Sequence, residues 1–293
     1  MTDEPVSIVI VAPVHNRRAI TLQCLESLSR IDRTGMSLET VIVDDGSTDG
    51  TSDAILSRFP DTILLHGDGN LFYTKATNLG IAEAMRRGAD YVLAINDDSV
   101  FEPDFLLRLL ACAREHPRSV VGALLIRWDD RRQVCQFNPT WSTWRGGWQW
   151  PVQPTADEVP TTPVETELLP GNCVLYPRAV IEKVGLMDEK RFPGWGDAEY
   201  TPRMRRSGWR LLVEPRARLY MQPNRIRPLL RDMPVGDALR EMFLNRLSHK
   251  NLCHAFLTCW HGAPSRTQAV LAFTISRARQ AGNLFRASRP SGA

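Results

Sequence analysis

The chain has 293 residues, 43% of them hydrophobic and 24% charged, with a net charge of +3. That is the profile of an ordinary globular protein, long enough for one substantial core and an appendage. So small a charge argues against nucleic acid as a partner.

The longest apolar runs, such as Val6 to Val14, are too short to span a bilayer. The start, Met1-Thr2-Asp3-Glu4, is too acidic for a secretory leader. Six cysteines are scattered without metal-binding spacing, as in a reducing compartment. A cytoplasmic protein is expected.

The first half alternates short β-branched runs with amphipathic stretches, the pattern of parallel βαβ units. Ser7 to Ala12 reads as a buried strand, and Asn16 is placed to cap a helix from Arg17 to Ser29. Leu38 to Val43 is a second strand ending at Asp44, with a helix after Thr48. Thr62 to Leu65 is a short third strand. The helix from Thr74 to Arg87 carries Ala76, Leu79, Ala82 and Met85 at the spacing of one face. Tyr91 to Ile95 is a strand running into Asn96-Asp97-Asp98. Pro103 suits the first turn of the next helix, and Val120 to Ile126 is a further strand.

Trp141, Trp144, Trp148 and Trp150 then crowd one short segment, and Pro151 to Glu167 reads as a loop or flap. Val180 to Val184 and Glu199 to Ser207 read as helices, with a strand at Leu211 to Glu214. Beyond Arg225 the pattern is helical, with Leu239, Met242, Phe243 and Leu247 on one face. Arginines there outnumber the few acids, Asp232, Asp237 and Glu241. Such a tail either faces an anionic membrane or a partner, or is a solvated helical surface.

In open α/β sheets, ligands bind at the carboxyl ends of the strands. Three such ends carry polar clusters: Pro13-Val14-His15-Asn16, Asp44 to Asp49, and Asn96-Asp97-Asp98. Any one alone could be turn chemistry; three on one rim point to a ligand. There is no G-x-x-x-x-G-K-[ST] loop and no G-x-G-x-x-G after the first strand, which argues against P-loop and standard dinucleotide-binding proteins. A carboxylate such as Asp44 accepts hydrogen bonds from a base imide or a ribose hydroxyl. Adjacent Asp97 and Asp98 suit a hard cation bridging diphosphate oxygens. The rim therefore reads as a site for a nucleoside diphosphate that leaves during a reaction.

Val41-Ile42-Val43-Asp44-Asp45-Gly46-Ser47-Thr48-Asp49-Gly50 resembles the nucleotide-binding hallmark of family 2 glycosyltransferases. Asn96-Asp97-Asp98 is similar to their Asp-x-Asp motif, with asparagine replacing the first acid. Gly69-Asn70-Leu71 with Asn78-Leu79-Gly80 resembles their donor-side loop and helix. Phe192-Pro193-Gly194-Trp195-Gly196-Asp197-Ala198-Glu199-Tyr200, then Arg203, resembles their acceptor-side acidic motif. The resemblance covers roughly residues 5 to 220 and is nearest to bacterial rhamnosyl- and galactofuranosyltransferases.

The resemblance implies an α/β GT-A fold, a Rossmann-like, mostly parallel sheet flanked by helices. It implies a domain over residues 1–224, nucleotide-binding to about 127 and acceptor-binding from about 128, then a helical region over 225–293. It also implies inverting transfer of a sugar from a UDP or dTDP donor to a hydroxyl of a glycan or lipid-linked glycan, in cell-surface polysaccharide synthesis. On this chain Asp197 would be the general base. Pro13, His15, Asn16, Asp44, Asn78, Asn96 and Asp97 would line the nucleotide. Asp98 would bind Mg²⁺ or Mn²⁺, and Trp195 and Glu199 would meet the acceptor. An inverting transfer needs one carboxylate opposite the departing diphosphate, and Glu199 is the rival base in the same turn.

Two departures thin the metal set. Arg218-Leu219-Tyr220-Met221-Gln222 has no histidine where the family often supplies one, and Asn96 removes an acid. The tryptophans either stack on sugars or pack a core. Other classes stay open: an inactive GT-A assembly subunit, which the presence of Asp98 and Asp197 disfavours, and a sugar-nucleotide pyrophosphorylase, which would need a glycine-rich loop after the first strand. For the tail, the expected partners are the inner face of the membrane or a second copy of the chain.

Overall fold

The computed structural model describes residues 5–222, 228–248 and 250–287. The readings of Met1 to Glu4 and of a boundary at Arg225 lie outside the described residues. The βαβ half comprises β1 (Val6–Val14), α1 (Arg18–Leu28), β2 (Met36–Asp44), α2 (Thr51–Arg58), β3 (Ile63–His66), α3 (Phe72–Arg86) and β4 (Tyr91–Ala94). β1 pairs in parallel with β2 and β4, and β2 with β3.

There follow β5 (Ser99–Phe101), α4 (Phe105–Glu115), β6 (Ser119–Arg127), β7 (Val134–Gln136), β8 (Thr140–Ser142), β9 (Gly147–Gln149), β10 (Val164–Glu165) and β11 (Val174–Pro177). After α5 (Arg178–Val184), α6 (Asp197–Arg206) and β12 (Arg210–Met221) come α7 (Val235–Phe243), α8 (Leu252–Gly262) and α9 (Arg266–Ala287).

The main sheet runs β10-β12-β6-β11-β4-β1-β2-β3. Within it β11 lies antiparallel between β4 and β6. Alternation along β1 feeds two cores, because successive strand residues face opposite sides. Ile8, Ile10 and Ala12 pack with Leu25 and Leu28 of α1 and Phe105 and Leu109 of α4. Val9 and Val11 pack with Ile81 and Ala84 of α3 and Tyr200 and Met204 of α6. The result is a sheet between two helical layers.

The inner face of α3 is Ala76, Thr77, Gly80, Ile81 and Ala84, not the face read from Leu79 and Ala82; Leu79 is 40% exposed. The reason is close approach: a Cβ on Gly80 would lie 2.2 Å from Val11 Cγ1. Asn16 does not cap α1, whose N-cap is Arg17; its side-chain oxygen instead accepts from the Thr48 amide at 2.7 Å. Pro103 precedes α4 rather than opening it. β12 runs well past Glu214, with an irregularity between Glu214 and Arg218 that lets it continue beside β6.

The tryptophan segment folds as the β8–β9 hairpin, with Trp141 edge-on to Trp148 at 5.5 Å. It docks tightly on the C-terminal helices. A Cβ on Gly262 would come within 2.7 Å of Trp148 Nε1, and one on Gly146 within 3.0 Å of Ser276. Trp141 and Trp148 thus form a packing joint, whereas Trp144 and Trp150 remain exposed. Among the described residues, no helix is long and apolar enough to cross a membrane.

Candidate active site

The three polar strand ends meet on one rim, the first two zipped together by side-chain to backbone bonds and the third joined to them by Arg17. His15 Nδ1 donates to the Asp45 carbonyl at 2.6 Å, and the Asn16 amide donates to Ser47 Oγ at 2.8 Å. Both His15 and Asn16 stay exposed beside half-buried Pro13.

Asp44 is 1% exposed, and its carboxylate accepts from the Ser47 amide and the Ser52 hydroxyl. It closes the turn into α2. The neighbouring Asp45 organises the donor-side loop: its carboxylate accepts from the amides of Gly69, Leu71 and Phe72 at 2.9–3.2 Å. Asn78 is also turned inward. It accepts from the Met187 amide and donates to the Met187 carbonyl and Glu189, so it ties α3 to the segment before α6.

Asp97 and Asp98 are both held by Arg17, at 2.9 Å and 3.0 Å respectively. Thr21 donates to the other Asp97 oxygen at 2.9 Å. Burial pushes the Asp97 carboxyl up to about 6, against the pull of Arg17 and Thr21. Asp98 Oδ1 and Asn96 Oδ1 are buried without a protein partner. The Gln222 amide donates to the Asp98 carbonyl at 3.2 Å, so a glutamine occupies the end of β12 where the resemblance puts a histidine. No cluster of three His, Cys, Asp or Glu side chains suited to a metal occurs among the described residues.

Asp197 is the first residue of α6, and the Gly171 amide donates to its Oδ2 at 2.9 Å. Burial raises its carboxyl above the usual range, opposed by the amides of Gly171, Asp197 and Ala198. A raised carboxylate is a better proton acceptor. Tyr73 of α3 donates to the Gly171 carbonyl at 3.1 Å, and the next side chain, Asn172, accepts from the Asn96 amide at 2.9 Å. Two consecutive residues therefore join Asp197 to the acidic rim. Thr74 adds a second tie, its hydroxyl accepting from the Gly196 amide at 3.0 Å.

Glu199 is 1% exposed, ion-paired with Arg203 and accepting from the Asp188 amide. Those contacts hold α6 in place. Asp197 instead lies on the wall of a cavity of about 340 Å³, with Trp195, Trp148, Trp150, His254 and Arg277. A larger groove of about 1400 Å³ runs from the donor-side loop, at Asn70 and Lys75, to α7.

Arg17, Asp45, Thr74 and the Gly171-Asn172 pair were not singled out from sequence. Leu168-Leu169-Pro170-Gly171-Asn172, a turn signal between apolar residues and a strand, was the available cue for the last.

A mostly parallel sheet between two helical layers, with acids at its strand ends, defines a GT-A fold. The profile of glycosyl transferase family 2 matches residues 9–185, and the chain belongs to that family. It is 29% identical, over 203 residues, to an N-acetylglucosaminyl-diphospho-decaprenol L-rhamnosyltransferase of Mycobacterium tuberculosis; the match covers 63% of this chain and 66% of that one. It is 34% identical over 129 residues to a PGL/p-HBAD biosynthesis glycosyltransferase of Mycobacterium bovis, covering 40% and 46%. The chain thus spans less than two thirds of either relative.

In fold it resembles Staphylococcus aureus TarS 1-349 in complex with UDP-GlcNAc (TM-score 0.58, 15% identity, 94% and 92% coverage). It also resembles GalNAc-T7 crystallised with UDP, GalNAc and Mn²⁺ (TM-score 0.61, 14% identity, 94% and 54% coverage).

Proposed function

We propose that the protein transfers a sugar, with inversion, from a UDP or dTDP donor to a hydroxyl of a glycan or lipid-linked glycan acceptor. The observation that carries this is the Gly171-Asn172 link, which fixes Asp197 and the Asn96-Asp97-Asp98 rim relative to each other. Asp197 takes the proton of the acceptor hydroxyl as its oxygen bonds to the anomeric carbon. The bond from that carbon to the diphosphate breaks, and the nucleoside diphosphate leaves with the electron pair. Attack from the side opposite the leaving group inverts the carbon. Mg²⁺ or Mn²⁺ arriving with the donor would meet the free oxygen of Asp98 and add to the positive charge that the rim already presents through Arg17.

The cavity beside Asp197 is the acceptor site in this reading. Its volume falls within the ~300–1,000 Å³ of small-molecule sites, and its aromatic walls suit the apolar face of a sugar ring. The rhamnosyltransferase relative, by name, acts on a diphospho-decaprenol-linked sugar, which supports an acceptor of the lipid-linked class.

The surface of α7 supports peripheral attachment to an anionic membrane. Asp237, Arg240 and Glu241 of α7 line the large groove, while Val235, Leu239 and Phe243 are 77%, 51% and 60% exposed. An apolar stripe turned away from its own protein suits a helix lying in a bilayer interface. From Arg225 onward, eleven Lys and Arg face three Asp and Glu, a charge balance complementary to acidic lipid.

Thermal-shift screening against UDP, dTDP and their sugars, with product analysis, tests the reaction. Stabilisation by one nucleotide and slow hydrolysis of its sugar conjugate are expected. Binding without turnover, even with lipid-linked acceptors present, would make this an inactive GT-A subunit.

A further inference from the structure

Arg17 bridges two acids with one guanidinium, Nη1 to Asp97 and Nη2 to Asp98. The acids are nearly closed off, with side chains 5% and 11% exposed, whereas the arginine is 38% exposed. The charge that reaches solvent at this part of the rim is therefore the cation. Its position is otherwise unfavourable: Arg17 is the N-cap of α1, and a helix N-terminus favours anions over cations. A helix start and a cation on one rim both suit phosphate.

A guanidinium carries five N–H groups, and only two are engaged by the acids. A fork fixed on one side by carboxylates can hold phosphate oxygens on the other, as a bridging divalent ion does. The neighbouring residues leave this task open, since Gln222 follows β12 and a three-ligand metal cluster is absent among the described residues.

We propose that Arg17 is a donor-binding residue that contacts the diphosphate and supplies, without metal, much of the positive charge the leaving group needs. This rests on the nucleoside-diphosphate reading of the rim. Asp97 and Asp98 then act as positioning residues for the guanidinium, which explains two buried acids in a site that binds an anion.

Calorimetry with UDP and dTDP in excess EDTA, then with Mn²⁺, tests the proposal on the whole protein. The wild type should bind its diphosphate in EDTA within about threefold of its affinity with Mn²⁺. Arg17→Met should weaken that binding at least about tenfold, the scale of a lost charged hydrogen bond. The free nucleoside, followed by NMR, should be held as before, and Arg17→Lys should recover part of the loss. Because Arg17→Met leaves two acids uncompensated, the Arg17→Met/Asp97→Asn double variant serves as a folding control and should lose diphosphate affinity equally.

Wild-type binding that vanishes in EDTA would overturn the proposal. So would an equal loss for nucleoside and diphosphate in Arg17→Met. Failure of both diphosphates to bind with or without Mn²⁺ would instead sink the nucleotide reading itself.

Discussion

The Gly171 amide donates to Asp197 Oδ2 at 2.9 Å, so the carboxylate is aimed by backbone rather than by another side chain. Asp197→Asn keeps an oxygen for that amide and preserves size. Turnover should fall ~100- to 10,000-fold, the usual worth of general base catalysis, while diphosphate affinity stays within about twofold. Loss confined to the transition state lowers kcat without touching ground-state donor binding. Glu199→Gln should instead lower thermal stability. Near-normal kcat in the Asp197 variant would move the base elsewhere.

Gly171 itself has no room for a side chain. A Cβ there would lie 2.3 Å from Tyr73 Oη and 2.8 Å from Asp197 Cβ. Gly171→Ala should cost about 1–3 kcal/mol of stability and lower kcat more than it raises the diphosphate Kd. Denaturant melts and steady-state kinetics on one preparation check both; an unchanged kcat with an unchanged melt would refute the crowding.

Asp97 makes stability depend on pH. Its folded-state pKa of about 6 lies above the ordinary 3.8, so the native state holds the proton more tightly than the unfolded one. Its favourable contribution is full below the ordinary value and is lost as pH rises through about 6. The shift corresponds to something on the order of 3 kcal/mol. The stability difference between Asp97→Asn and wild type should therefore move in the variant's favour between pH 4 and pH 7. Urea melts across that window give the answer, and a constant difference would contradict the assignment.

Sedimentation with vesicles examines α7. Wild type should co-sediment with phosphatidylglycerol-containing vesicles and less with neutral ones, and Leu239→Glu/Phe243→Glu should reduce binding at least about tenfold. Turnover on a soluble acceptor should be unaffected. If the stripe joins two copies of the chain instead, light scattering will show a dimer that the double variant abolishes, and vesicle binding will not change.

The βαβ half was legible because its strands are buried on both faces and read as apolar runs ending in acids. The strands read at Ser7 to Ala12 and Leu38 to Val43 lie inside Val6–Val14 and Met36–Asp44. β11 and the far half of β12 were not legible, since Val174–Pro177 is short and Pro215 interrupts the other. On the rim, residue type was readable but direction was not. Asp44 and Asp45 are adjacent and chemically identical, yet one closes a turn and the other gathers three amides of the donor-side loop. Asp197 and Glu199 pose the same difficulty within one helical turn, and the inward pull of Arg203 and the Asp188 amide on Glu199 separates them.

The wall opposite Asp197 is drawn from the β8–β9 hairpin and from α8 and α9, far apart in the chain but wedged together at Gly146 and Gly262. Helices α8 and α9 fall outside the stretch that matches the family profile. In the proposed reading, what the protein accepts and what it donates are therefore written in separate parts of the gene. Substitutions at Thr258, Ser276 or Arg277 can retune the receiving end while the strand-end acids stay unchanged. Exchanging the helix pair together with its hairpin, as one cassette, is accordingly the natural unit for redirecting this protein to a new recipient.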